Sequence, residues 1–142
     1  MASLTLAQAQ TIAGAALRKG RELALKPLTV AVLDSGGQLV ALLREDGASN
    51  LRPAIAIGKA SGALALGISS RKIADMAAER PTFVSSLAGI AAGGIIPAAG
   101  GVIIVDAAGA AVAAVGVTGD TSDNDESCAL AGIAAAGLTA QG

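Results

Sequence analysis

The chain has no histidine, no tryptophan and no tyrosine, and among its 142 residues there is one phenylalanine and one cysteine. Without histidine there is no Ser-His or Cys-His nucleophilic system and no His-rich metal site. A single cysteine, Cys128, excludes a zinc finger and an intramolecular disulfide, so a reducing compartment, the cytoplasm, is the expectation. The missing aromatics leave nothing on which single-stranded bases could stack. A net charge of −1 offers no attraction for duplex nucleic acid or for an anionic membrane. The opening "MASLTLAQAQ" lacks the basic-then-apolar order of a signal peptide.

Bases are missing from an entire half of the chain. All ten Lys and Arg lie at or before Arg80, where they meet six acids for a net +4; residues 81–142 hold five acids and no base, a net −5. Any cation that answers the later acids must come from the first half, from a neighbouring subunit or from a ligand. Charge of either sign is absent from Phe83 to Val105, a run of 23 residues that is long enough to cross a bilayer. Two Gly-Gly pairs with Pro97 between them, and no aromatic belt, make that run a loop and a buried strand instead.

What the chain does have is small aliphatic bulk: 53% hydrophobic residues and nineteen glycines. Ala, Gly, Val, Ile and Leu let helices and sheets approach closely, but they bury less area per residue than an aromatic core would. Extra burial through self-association, hence a homo-oligomer, is the expectation. The length suits one domain, residues 1–142.

"TLAQAQTIAGAALRKGRELALK" predicts an amphipathic helix with Leu6, Ala9, Ala13, Ala16, Gly20 and Leu23 on its buried face. Thr5 and Gln8 form a capping box at its start, and Pro27 ends it. Two hairpins follow, "LTVAVLDSGGQLVALLRED" and "GGVIIVDAAGAAVAAVGVTG", with Asp34, Gly37, Val40 and Ala41 aligned on Asp106, Gly109, Val112 and Ala113. Between them lie a helix, a break at Gly67, and a shorter helix closed by Pro81. A last helix is expected from about Ser122 to Ala140, with Asp123 as its N-cap and Glu126 completing the box. The order α, ββ, α, α, ββ, α predicts an antiparallel sheet with helices packed on it.

Chemistry concentrates at "GDTSDNDE", where Asp120, Asp123, Asp125 and Glu126 precede that helix. The segment lacks the mid-loop glycine and the twelfth-position glutamate of a calcium loop. Capping accounts for two of the four acids; a site in which Asp125 or Glu126 moves a proton is the alternative. Lys59 is the only charge between Arg52 and Arg71. It is either a snorkelling side chain or a pocket-wall cation that holds a carboxylate or transfers a proton. Arg44 has the same two readings. Cys128 reads as buried packing.

"VAVLDSGGQLVALLREDGA", "AIGKASGALALG", "PAAGGVIIVDAAGAAVAAVGVTG" and "DNDESCALAGIAA" together resemble the GlcG/HbpS family, which also includes the C-terminal domain of PduO-type proteins. The family pattern falls on Asp34, Gly37, Lys59, Ala60, Gly100, Gly101, Gly116, Gly119, Asp125 and Glu126. The resemblance implies a profilin-like α/β sandwich (α+β) with a five-stranded antiparallel sheet, commonly in dimers or larger rings. It also implies a small-ligand site, with haem as one candidate ligand and Asp34, Gly100, Gly101 and Gly119 as binding positions, to which the pocket-wall reading of Arg44 adds a cation. The chain departs from the pattern at Ile103, where proline is usual, and in having no His or Tyr to ligate haem iron. Two functions follow as expectations. One is a small-ligand-binding protein. The other is a cofactor-independent isomerase- or lyase-type enzyme acting on a small oxo- or hydroxy-carboxylate, with Lys59, Asp125 and Glu126 catalytic and no metal.

Overall fold

A computed structural model of the chain describes residues 3–142. Helix α1 (Leu6–Glu22) is followed by β1 (Thr29–Asp34) and β2 (Leu39–Arg44). Helices α2 (Arg52–Leu66), α3 (Ser70–Glu79) and α4 (Pro81–Leu87) come next, and then β3 (Gly101–Val105), β4 (Ala111–Thr118), α5 (Ser122–Ala135) and β5 (Thr139–Ala140). The strands form one antiparallel sheet in the order β2-β1-β4-β3-β5, as the family resemblance implied.

Alternation along the strands builds two layers on this sheet. Val30, Val32, Val102, Ile104, Val115 and Val117 face Ile12 of α1 and Cys128 and Ile133 of α5. Leu33 and Ala114 face the other way, onto Ala60 and Leu64 of α2. Helix α2 lies against the backbone of the sheet because glycine occupies the crossing points. A Cβ on Gly116 would overlap the Ala56 carbonyl, and one on Gly101 would overlap the Lys59 carbonyl.

The two hairpins repeat each other in detail. Val32 pairs with Ala41 and Leu33 with Leu39, leaving Val40 in a bulge. Ile104 pairs with Ala113 and Val105 with Ala111, leaving Val112 in the same place. In each turn one aspartate oxygen accepts two backbone N–H groups. Asp34 takes those of Gly36 and Gln38 at 3.0 and 2.9 Å, and Asp106 takes those of Ala108 and Ala110 at 3.0 and 2.9 Å. Gly37 and Gly109 supply the positive φ that closes each turn, 79° and 85°.

The structure corrects four local expectations. The last helix stops at Ala135, and Gly137, at φ 72°, turns the chain so that Thr139–Ala140 can pair with β3. The N-cap of α5 is Thr121, which accepts from Asn124 N–H; Asp123 is already inside the helix and caps nothing. Pro81 opens α4 rather than closing the region, since proline at a first helical position loses no hydrogen bond. Leu6 and Leu23 are 58% and 43% exposed, and Ile12 takes the central buried position of α1.

Candidate functional site

Helix α2 carries Lys59 down onto the sheet beside the glycines of β3, and the turn after β4 brings Asp125 over from α5. Lys59 Nζ donates to Asp125 Oδ2 at 3.1 Å and to the Val117 carbonyl at 2.9 Å. Asp125 Oδ1 accepts the Asp120 N–H at 3.0 Å. Both residues are enclosed, at 3% and 1% exposure. The proximity of Lys59 to the acidic cluster, expected from charge segregation, is therefore present within one chain. Burial pulls the Lys59 ammonium below its usual range, against the attraction of Asp125, and pushes the Asp125 carboxyl above its own. The pair holds its charges only because each has the other and a backbone group as partners.

Glu126 and Asp123 are answered by Arg71 at the start of α3. Arg71 Nε donates to both Glu126 oxygens at 3.0 and 3.1 Å, and its Nη2 donates to Asp123. This cluster lies at the surface. Asp120 is held by Asn124 Nδ2 and the Lys26 N–H at 2.8 and 3.0 Å, which lowers its pKa to about 2. No acid of the cluster merely waves in solvent.

Two glycines of the family pattern, Gly100 and Gly101, lie against the buried lysine. A Cβ on Gly100 would lie 2.9 Å from Lys59 Nζ, and Gly100 sits at φ 129°. Gly101 N–H donates to Ser70 Oγ at 2.7 Å. Gly119, at φ 143°, lets the chain pass the Pro27 carbonyl. These positions shape backbone approach. Asp34 and Arg44 lie elsewhere: Asp34 is at the turn end of the first hairpin, and Arg44 is exposed at the end of β2, 3.4 Å from Asn50 Oδ1.

Two partners escaped sequence reasoning. Arg71 answers Asp123 and Glu126, and Arg52 Nη1 donates to Thr118 Oγ1 at 2.8 Å. Helical spacing held a signal for Arg52, because it lies seven residues before Lys59 and so on the same face of α2. Nothing local marked Arg71 beyond the rule that every cation had to come from the first half.

Three surface clefts accompany these groups. The first, about 420 Å³, lies between the first hairpin turn and α2, lined by Gly36, Gly37, Gln38, Ser61 and Leu64 among others. The second, about 410 Å³, includes Arg44 with Arg21, Glu45 and Asp46. The third, about 360 Å³, includes Asp34, Leu4 and Val112. Among the described residues no three His, Cys, Asp or Glu gather as metal ligands, and no helix is long and apolar enough to cross a membrane.

A sheet flanked by α1 and α5 on one face and α2 on the other, with a charge pair sealed between α2 and α5, makes this an α+β sandwich. The chain belongs to the HbpS-like family: it matches the family described as "Haem degrading protein HbpS-like" over residues 4–134. No curated protein sequence matches it. Among solved structures, HbpS is 35% identical, with 94% of this chain and 90% of that one covered and a TM-score of 0.81. Protein ORFY of Klebsiella pneumoniae is 26% identical over 96% of this chain and 93% of that one, at a TM-score of 0.84. The PduOC:heme complex is 20% identical over 99% and 100%, at a TM-score of 0.87, a likeness of fold.

The family description raises haem, and the donor set of this chain does not fit an iron ligand. There is no His or Tyr. Cys128 is fully buried between α1 and α5, and burial pushes its thiol up to about 11. Met76 is half-buried on α3 and lines none of the three clefts. Lys59 is committed to Asp125.

Proposed function

We propose that the protein is a small-ligand-binding member of the HbpS-like family and that it does not use Lys59 and Asp125 as acid–base catalysts. The observation that carries this reading is the closure of that pair. Every polar contact of Lys59 and Asp125 is internal, and both are shut off from solvent. A group that transfers protons to a substrate must come within hydrogen-bond reach of it. The family match and the haem complex of a protein with the same fold support binding as the common function.

Hemin is the first ligand to test, and its binding would rest on charge and apolar contact, with no side chain on the iron. Titrated into purified protein, hemin is expected to give a saturable change in the Soret band. The sharp visible bands of a six-coordinate, low-spin iron should not appear. Two results together overturn the reading: a spectrum identical to free hemin at every ratio, and no small molecule released when the purified protein is denatured and subjected to mass spectrometry.

A further inference from the structure

One polar row remains outside the charge pairs already described. Thr29 is the cross-strand partner of Arg44 on one side and of Thr118 on the other. Residues directly opposite on antiparallel strands project to the same face. That face is the one covered by α2, because Gly116, two residues along from Thr118, lies under Ala56. Arg44, Thr29 and Thr118 thus stand side by side, and Arg52 closes the row from the first turn of α2 by donating to Thr118 Oγ1.

Three features of the row are unfinished. Thr29 is fully buried, yet its hydroxyl has no hydrogen-bond partner, alone among buried side-chain polar atoms of the described residues. A hydroxyl in that state is normally paired. Arg52 and Arg44 have no carboxylate within ion-pair range among the described residues; their side-chain partners are Thr118 and Asn50, both neutral. Glu45, next to Arg44, is engaged by Arg21 and the Leu28 N–H, and Asp46 makes no ion pair among the described residues. Finally, the first turn of α2 has no acid and no capping side chain. Arg52 is therefore a cation set at the positive end of a helix dipole, where an anion belongs.

We propose that this row binds an oxyanion, the carboxylate or phosphate end of a small molecule. Arg44 and Arg52 pair with its charge, and Thr29 and Thr118 donate their hydroxyl hydrogens. A guanidinium fork matches either group bidentately. Thr118 accepts from Arg52 through its oxygen, which leaves its own O–H free to donate. Thr29 is fully buried, so the anion reaches its hydroxyl only when the side chains over it move aside. The site gives a chemical class to the ligand proposed above and rests on that reading only for the organic remainder of the molecule.

Isothermal titration with inorganic phosphate and with succinate, at ionic strength held constant with chloride, tests the site and distinguishes the two sources. Saturable one-to-one binding of succinate assigns a carboxylate ligand; binding of phosphate assigns a phosphoryl one. Arg44→Met, an exposed position that folding tolerates, should weaken that binding about tenfold or more, the scale of a charge-assisted hydrogen bond. Thr29→Val removes the unpaired hydroxyl at constant shape, so it should weaken binding several-fold while leaving the melting temperature unchanged or raised. Failure of both anions to bind, or binding unaltered in either variant, overturns the proposal. Anion binding without any hemin response would overturn the haem arm alone, and hemin binding without anion binding would overturn this site alone.

Discussion

Two ion-pair clusters fasten α5 to the rest of the molecule, and they differ in nearly every physical respect. Lys59–Asp125 ties α5 to α2 beneath the surface, with single-point contacts completed by the Val117 carbonyl and the Asp120 N–H. Arg71 ties α5 to α3 at the surface, through a two-oxygen contact with Glu126 and a further one with Asp123. By contact geometry alone the Arg71 cluster would be the stronger. Environment reverses the cost of breaking them, because water screens the exposed cluster while a group left alone in the buried one has no alternative partner. Both draw their cation from the basic half of the chain and their acid from the acidic half. Segregated charge in the sequence has become contact between helices in the fold.

The largest break in that comparison should come from removing one member of the buried pair. Lys59→Met or Asp125→Asn is expected to cost about 3–5 kcal/mol in urea unfolding, since each leaves a charge or a polar group uncompensated. The double variant Lys59→Met with Asp125→Leu should recover much of that loss. A single-variant cost below about 1 kcal/mol would mean that water reaches the pair. Arg71→Ala is expected to cost at most about 1 kcal/mol, and less in high salt, for all its hydrogen bonds. If Arg71→Ala proves the costlier change, burial is not what separates the two clusters.

The smallest effect belongs to Asp120 and shows only in acid. Its pKa is lowered from 3.8 to about 2, chiefly by the hydrogen bond from Asn124 and then by the Lys26 N–H. A carboxyl whose folded pKa is depressed stabilises the fold above the unfolded value and loses that contribution as pH falls through the folded one. Between pH 4 and 2, wild type should therefore lose stability that Asp120→Asn does not, as followed by the melting temperature of each. Parallel curves over that window would show that Asp120 is not held by these partners.

Sequence alone carried the four hairpin strands and most of the helices. The apolar runs "TVAVLD" and "GVIIV", the Asp-x-x-Gly turns and the Thr5–Gln8 box are local signals, and each appears where its spacing put it. The end of α5 was not legible, because "AAAGLTAQG" suits helix and strand alike until β3 offers an edge to pair with. Asp123 resembled a cap because an acid before a helix usually is one. Thr121 takes that role, and Asp123, already inside the helix, pairs with Arg71.

By itself the sequence determined that any Lys or Arg of this chain that answers the acids of residues 120–126 lies before residue 81, since there is none after it. It could not say which cation reaches which acid, or which pair is sealed. That was decided by the glycines of β3 and β4, which let α2 settle onto the sheet with Lys59 inside, and by a helix start that leaves Arg52 and Thr29 without an acid or a partner. Burial is a property of the assembled layers, and the strength of a charge follows from burial.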